Sequence, residues 1–181
     1  TRAMYRADPA LFHQILSITA DAVATLLIGQ LAAGCQTVML FDSWGGLLAD
    51  DQYETFSLQY IRRIIRQIKE KSDAPIIVFG RQCALSLAAI ANSGAAAVGV
   101  DWQTSIASAR KLTDGKVALQ GNMDPAVLLT DTATITAEAQ RILTNYGTSP
   151  GHIFNLGHGI DKNTPPENVA ALVAAVKEHK I

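Results

Sequence analysis

Thr37-Val38-Met39-Leu40-Phe41-Asp42-Ser43-Trp44-Gly45-Gly46 decides how this chain folds. Its first five residues form an unbroken apolar run, and an acid, a hydroxyl, an indole and two glycines end it abruptly. A strand with one wet face alternates apolar and polar residues; an unbroken run is the mark of a parallel-sheet strand buried on both faces. Working outward, four more short runs end the same way: Ile76–Phe79, Ala97–Val100, Val117–Gln120 and His152–Phe154. In a parallel sheet all strand C-termini lie at one end, so residues far apart in sequence converge there on one ligand.

Helical patterns lie between the runs. Asp8 and Pro9 open the first, which is expected to continue to about Ala33 and leave through Gly34. The second begins near Asp51, with Glu54 placed to complete a capping box. Tyr53, Phe56, Tyr60, Ile61, Ile64, Ile65 and Ile68 recur along it at helical spacing, and Arg62, Arg63, Arg66 and Lys69 fall mostly on the other, solvated side. Further helices are expected over Leu85–Asn92, Thr104–Lys111 and Ile135–Tyr146. The last starts at a Thr164 cap, with Pro165 and Pro166 in its first turn and Glu167 closing a second capping box.

Strands alternating with helices predict an α/β fold with parallel strands and right-handed crossovers. Neither a Gly-x-Gly-x-x-Gly after the first strand nor a phosphate-loop lysine is present, which weakens a nucleotide-binding open sheet. The competing architecture is a TIM-type (β/α) barrel. Five βα units in 181 residues are too few for eight strands, which take about 250 residues. On that reading residues 1–181 are the C-terminal partial barrel of a single domain, with three strands and their N-terminal sequence missing.

Composition narrows the function classes. Hydrophobic residues make up 49% of the chain and charged residues 17%, so much surface is expected to be buried, including a subunit interface. The net charge is −1 and no basic block occurs, which argues against nucleic acid as a partner. The two cysteines, Cys35 and Cys83, form no ligand motif and read as buried or inert thiols in a reducing compartment. No signal peptide is visible, and the most apolar stretch, Val23–Ala33, is interrupted by Gly29 and Gln30 and is short for a bilayer span. A cytoplasmic protein with no membrane partner is the expectation.

Two strand ends carry candidate chemistry. Ser43, followed by Gly45 and Gly46, can approach a ligand closely, or can satisfy local backbone in a tight turn. His158 in Asn155-Leu156-Gly157-His158-Gly159 can donate to a carboxylate or carry a proton, or can be a surface residue in a flexible loop.

Four segments taken together resemble the uroporphyrinogen decarboxylase family. They are Phe41-Asp-Ser-Trp-Gly-Gly46, Gly99-Val-Asp-Trp102, Val117-Ala-Leu-Gln-Gly-Asn-Met-Asp-Pro125 and Phe154-Asn-Leu-Gly-His-Gly-Ile160, in that order. The resemblance covers the chain from Ala7 onward. It implies a (β/α)-barrel enzyme of heme and porphyrin biosynthesis, a lyase that decarboxylates the four acetate side chains of uroporphyrinogen III to give coproporphyrinogen III. It implies no metal and no organic cofactor, and a homodimer in the cytoplasm.

The resemblance also implies site residues. Ser43 and His158 take the positions of the family's substrate-binding hydroxyl and imidazole, and Phe41 is expected to line the floor under the macrocycle. In the family's proposed mechanism the protonated pyrrole is the electron sink as carbon dioxide departs, and an aspartate stabilises the cationic ring. That aspartate, the family's arginine motif and its tyrosine all precede the matching region, so no catalytic residue carries over. Asp42, Asp101 and Asp124 match other family positions, and Tyr5 lies too close to Ser43 to be that tyrosine. The chain alone is therefore expected to lack decarboxylase activity. Gly80-Arg81-Gln82-Cys83 departs from the paired glycines frequent in relatives, and Arg81 either adds a donor at the mouth or is solvated. Two alternatives remain: a zinc-dependent methyltransferase on the same barrel, and an inactive half-barrel acting as a binding or dimerisation module.

Overall fold

The computed structural model describes residues 2–179. Five parallel strands form one sheet: β1 (Val38–Asp42), β2 (Ile76–Gly80), β3 (Ala97–Gly99), β4 (Ala118–Gln120) and β5 (His152–Ile153). Their spatial order is β1-β2-β3-β4-β5, the order of the chain, and every neighbouring pair is parallel. A doubly wound sheet reverses its strand order at a switch point. This sheet never reverses, and right-handed crossovers then put all the connecting helices on one face. The sheet is an arc of a (β/α) barrel, one of the two architectures that the alternation of runs and helices left open and the one the family resemblance implies.

The helices are α1 (Arg2–Ala7), α2 (Pro9–Ala32), α3 (Asp50–Tyr53), α4 (Gln59–Lys69), α5 (Leu87–Ala91), α6 (Ile106–Leu112), α7 (Thr132–Tyr146) and α8 (Pro166–Glu178). Along the outer face α2 packs on α4, α5 on α6, α6 on α7 and α7 on α8. The register explains which strand residues meet them. Leu40, Val78, Val98 and Leu119 lie side by side and are buried with the helices. The next row, Phe41, Phe79, Gly99, Gln120 and Ile153, faces the other way, into the concave side.

That second row corrects the expectation of strands buried on both faces at the two edge strands, while Phe79 and Gly99 in the middle of the row are buried as expected. Phe41 is 67% exposed and Ile153 43%, because helices cover only the convex side of the arc. The exposed Phe41 lines a hollow on the concave side.

Other details also differ from expectation. Asp8 caps α2 as predicted, accepting from the Leu11 N–H at 2.9 Å. Neither capping box forms. α3 starts at Asp50 with Ala49 as its cap and no side-chain cap bond, while Glu54 pairs with Arg62. A π-helical turn, Glu54–Leu58, separates α3 from α4 and sets the Ser57 hydroxyl to donate to the Asp42 carboxylate. At α8 the cap position is taken by Pro165, which leaves the buried Thr164 hydroxyl without a partner among the described residues. Asn168 fastens α8 instead, donating to the Leu128 and Thr130 carbonyls at 2.8 Å each.

The arginine face of α4 is partly engaged, since Arg63 and Gln67 both donate to Asp21 of α2. Val23–Ala33 is the end of the long helix that Asp8 and Pro9 open, as expected. α2 runs 24 residues, long and apolar enough by length and composition to cross a membrane, so length does not exclude a span. In this fold Ala20, Ala24 and Leu27 of α2 are buried in the core beside β1 and α4.

Candidate functional site

A hollow of about 640 Å³ opens at the C-terminal end of the concave face. Met39, Phe41, Phe79 and Gln120 form its floor, and Ser43, Arg81, Asn155 and His158 stand around its rim. Residues 43 and 158 come from opposite edges of the sheet, and the curvature of the arc brings them to one cavity. Phe41 lies edge-on to Phe79, with ring centroids 6.1 Å apart and planes at 64°; Phe41 is exposed and Phe79 is buried beside it.

The two polar candidates present different chemistry. The Ser43 hydroxyl is exposed and makes no hydrogen bond among the described residues, so it does not serve the local turn. His158 is half-buried, with Nδ1 3.0 Å from the Gly159 carbonyl oxygen. A carbonyl only accepts, so Nδ1 holds the proton in this contact. Nε2 then offers a lone pair in the neutral ring, and an N–H toward a carboxylate only in the imidazolium.

Hydrogen bonds lace the rim from one strand exit to the next. Arg81 N–H donates to the Asp42 carbonyl at 3.1 Å, and Gly46 N–H to the Arg81 carbonyl at 3.1 Å. Gln82 N–H donates to the Asp101 carboxylate at 2.5 Å, and the Asn122 amide donates to the Asp101 carbonyl at 2.8 Å. Met123 N–H donates to the Asn155 carbonyl, and Gly157 N–H to the Met123 carbonyl at 2.7 Å.

Two motif glycines follow from this lacing. A β-carbon on Gly46 would lie 2.5 Å from the Gln82 β-carbon and 2.8 Å from the Arg81 carbonyl oxygen. One on Gly157 would lie 2.2 Å from the Trp102 backbone nitrogen. The loop carrying His158 is therefore clamped on one side and not simply flexible, while Gly159 has open space around its α-carbon.

Of the aspartates, Asp42 accepts from Ser57, Asp124 accepts from the Ala126 N–H, and Asp101 is buried in the rim. None of the three lines the hollow. Gln120, Met39 and Phe79 were not singled out by sequence, and only the register of a curved sheet reveals that they share its floor. A second, larger hollow of about 980 Å³ runs beside the free edge of β1, lined mainly by apolar residues of α2, β1 and α4.

The cysteines divide. Cys83 is buried as expected, but Cys35 is exposed, in the segment leading into β1. Burial, and then the negative charge of Asp42, pushes the Cys83 thiol from an ordinary 9 up to about 12. A zinc site needs several such ligands gathered together. Among the described residues no three His, Cys, Asp or Glu side chains gather where they could hold a metal ion. A thiol reagent is expected to modify Cys35 quickly and Cys83 only on unfolding; equal rates would contradict the burial. Because the folded value is raised, the contribution of the neutral thiol to stability is complete below pH 9. It is lost as pH rises toward 12, at about 1.4 kcal/mol per pH unit. Cys83→Ala is expected to flatten the alkaline loss of stability, measured by denaturant titration from pH 9 to 12.

Comparisons with known proteins agree with the fold. The family model described as "Uroporphyrinogen decarboxylase (URO-D)" matches residues 1–179. A uroporphyrinogen decarboxylase of Paraburkholderia phytofirmans is 49% identical, across 98% of this chain and 50% of that protein. One of Burkholderia pseudomallei shows the same identity and the same coverage. The chain thus spans about half the length of the curated relatives it matches. A solved methyltransferase from Methanosarcina mazei superposes with a TM-score of 0.85 at 22% identity, over 98% of this chain and 52% of that one. At that identity the likeness concerns the fold.

Proposed function

Because the chain belongs to the uroporphyrinogen decarboxylase family, we propose that its hollow is one wall of the cleft in which uroporphyrinogen III loses four acetate carboxyl groups to give coproporphyrinogen III. The observation that carries this reading is the convergence of Ser43, Arg81 and His158, from three strand ends, on one apolar-floored hollow.

A tetrapyrrole with carboxylated side chains asks for two things: a flat apolar surface for the macrocycle and separated donors for the carboxylates around it. Phe41, exposed and packed edge-on against the buried Phe79, supplies the first. The unengaged Ser43 hydroxyl supplies a donor, and His158 supplies one from Nε2 when doubly protonated. The chain's role is to bind and orient. Stabilising the protonated pyrrole as carbon dioxide leaves belongs to groups outside this set. The reading places the protein in the cytoplasm as a homodimer, with no nucleic acid as partner, no metal and no organic cofactor. The low charged content, 17%, supports a subunit interface.

The test is a fluorescence titration with uroporphyrin III, the aromatic form that keeps all eight carboxylates. Ser43→Ala and His158→Ala are each expected to raise Kd about tenfold or more, the value of a hydrogen bond to a charged group. Unchanged Kd in both variants would remove the assignment.

A further inference from the structure

We propose that Arg81 is the charged anchor for one carboxylate of the bound tetrapyrrole, and that Asp101 is the positioning residue that sets Arg81 at the mouth of the hollow; this rests on the binding reading above. The charge pattern of the hollow comes first. Among the described residues its lining contains Arg81 and His158 and no Asp or Glu. A ligand that carries carboxylates and enters this space therefore meets one permanent cation and no acidic side chain.

The second observation is that Arg81 is unspent. Arg62, Arg63 and Arg141 form ion pairs, and Arg110 donates to the Tyr146 carbonyl at 2.7 Å. The Arg81 guanidinium enters no ion pair and no hydrogen bond among the described residues, although its residue lines the site. A guanidinium grips a carboxylate with two parallel N–H bonds, which a hydroxyl or an imidazole cannot do.

The third is that its backbone is gripped from both sides. The Arg81 N–H and carbonyl are both bonded to the β1 exit, at Asp42 and Gly46. The next residue, Gln82, is held at φ +58°, a left-handed conformation uncommon for a side chain of its kind. The Asp101 carboxylate holds it there, one oxygen accepting from Gln82 N–H at 2.5 Å and the other from Gln103 N–H at 3.1 Å. Asp101 is only 5% exposed, and both of its oxygens are committed to backbone. Its work is to fix the turn on which Arg81 stands. Asp101→Asn replaces one of those acceptors with an amide donor.

The experiment uses the whole chain and uroporphyrin III in the same titration, at low and at high salt. Arg81→Ala is expected to raise Kd tenfold or more and to flatten its salt dependence, with Arg81→Lys recovering part of the loss. Asp101→Asn is expected to weaken binding in the wild-type background and to add little in the Arg81→Ala background. A purely structural Asp101 would cost the same in both backgrounds, and additive losses overturn its positioning role. If Ser43→Ala and His158→Ala weaken binding while Arg81→Ala does not, the anchor assignment falls and the binding reading stands. If the wild-type chain does not bind uroporphyrin, the binding reading falls and takes the anchor with it.

Discussion

Gly157→Ala is expected to weaken uroporphyrin binding at least tenfold and to lower stability by about 2 kcal/mol or more. The added methyl carbon would sit 2.2 Å from the Trp102 backbone nitrogen and 2.9 Å from its α-carbon, so backbone must move. Two rigid segments meet there: the β3 exit, fixed by Asp101, and the β5 exit, fixed by the Gly157 N–H on the Met123 carbonyl. The strain is relieved by pushing the β5 loop outward, and His158 travels with it. Gly159→Ala is the matched control, because its α-carbon faces open space and its effect on stability is expected to stay near zero. Denaturant unfolding of the two variants measures the difference directly. Equal stability losses would mean that the rim is looser than its hydrogen bonds indicate.

The second large effect separates the two faces of the sheet. Leu119→Ala is expected to cost about 3 kcal/mol in denaturant unfolding, since Leu119 is 1% exposed among the helices and its deletion leaves a cavity. Phe41→Ala is expected to cost less than about 1 kcal/mol of stability, mostly the edge-on contact with Phe79. That substitution should nevertheless weaken porphyrin binding severalfold by removing floor area. A small loss for Leu119→Ala and a large one for Phe41→Ala would mean that the packed and open faces had been exchanged.

The strand runs and their parallel order were legible because burial and crossover geometry leave local marks: unbroken apolar stretches, capping residues such as Asp8, and terminating glycines. Ser43 and His158 were legible as exposed chemistry at strand ends, and the curved sheet brings them together. Capping boxes misled because a box needs backbone geometry as well as residue types. Pro165 displaced Thr164 from the cap, and Glu54 found Arg62. The exposure of Phe41 was hidden, since an apolar run looks alike whether its second face meets helices or a ligand cavity. The grip of Asp101 on Gln82 spans 19 residues and depends on two strand exits lying side by side. No local pattern encodes that, although the departure of Gly80-Arg81-Gln82-Cys83 from the paired glycines frequent in relatives was visible as an oddity.

Amide NMR of the chain with uroporphyrin III tests the central claim most directly, because the aromatic macrocycle shifts every nearby proton by its ring current. The account predicts the largest changes at Phe41–Gly46, Phe79–Gln82 and Asn155–Gly159. Changes concentrated on Leu11, Ile15 and Ile18, along the exposed face of α2, with the strand exits unmoved, would contradict it.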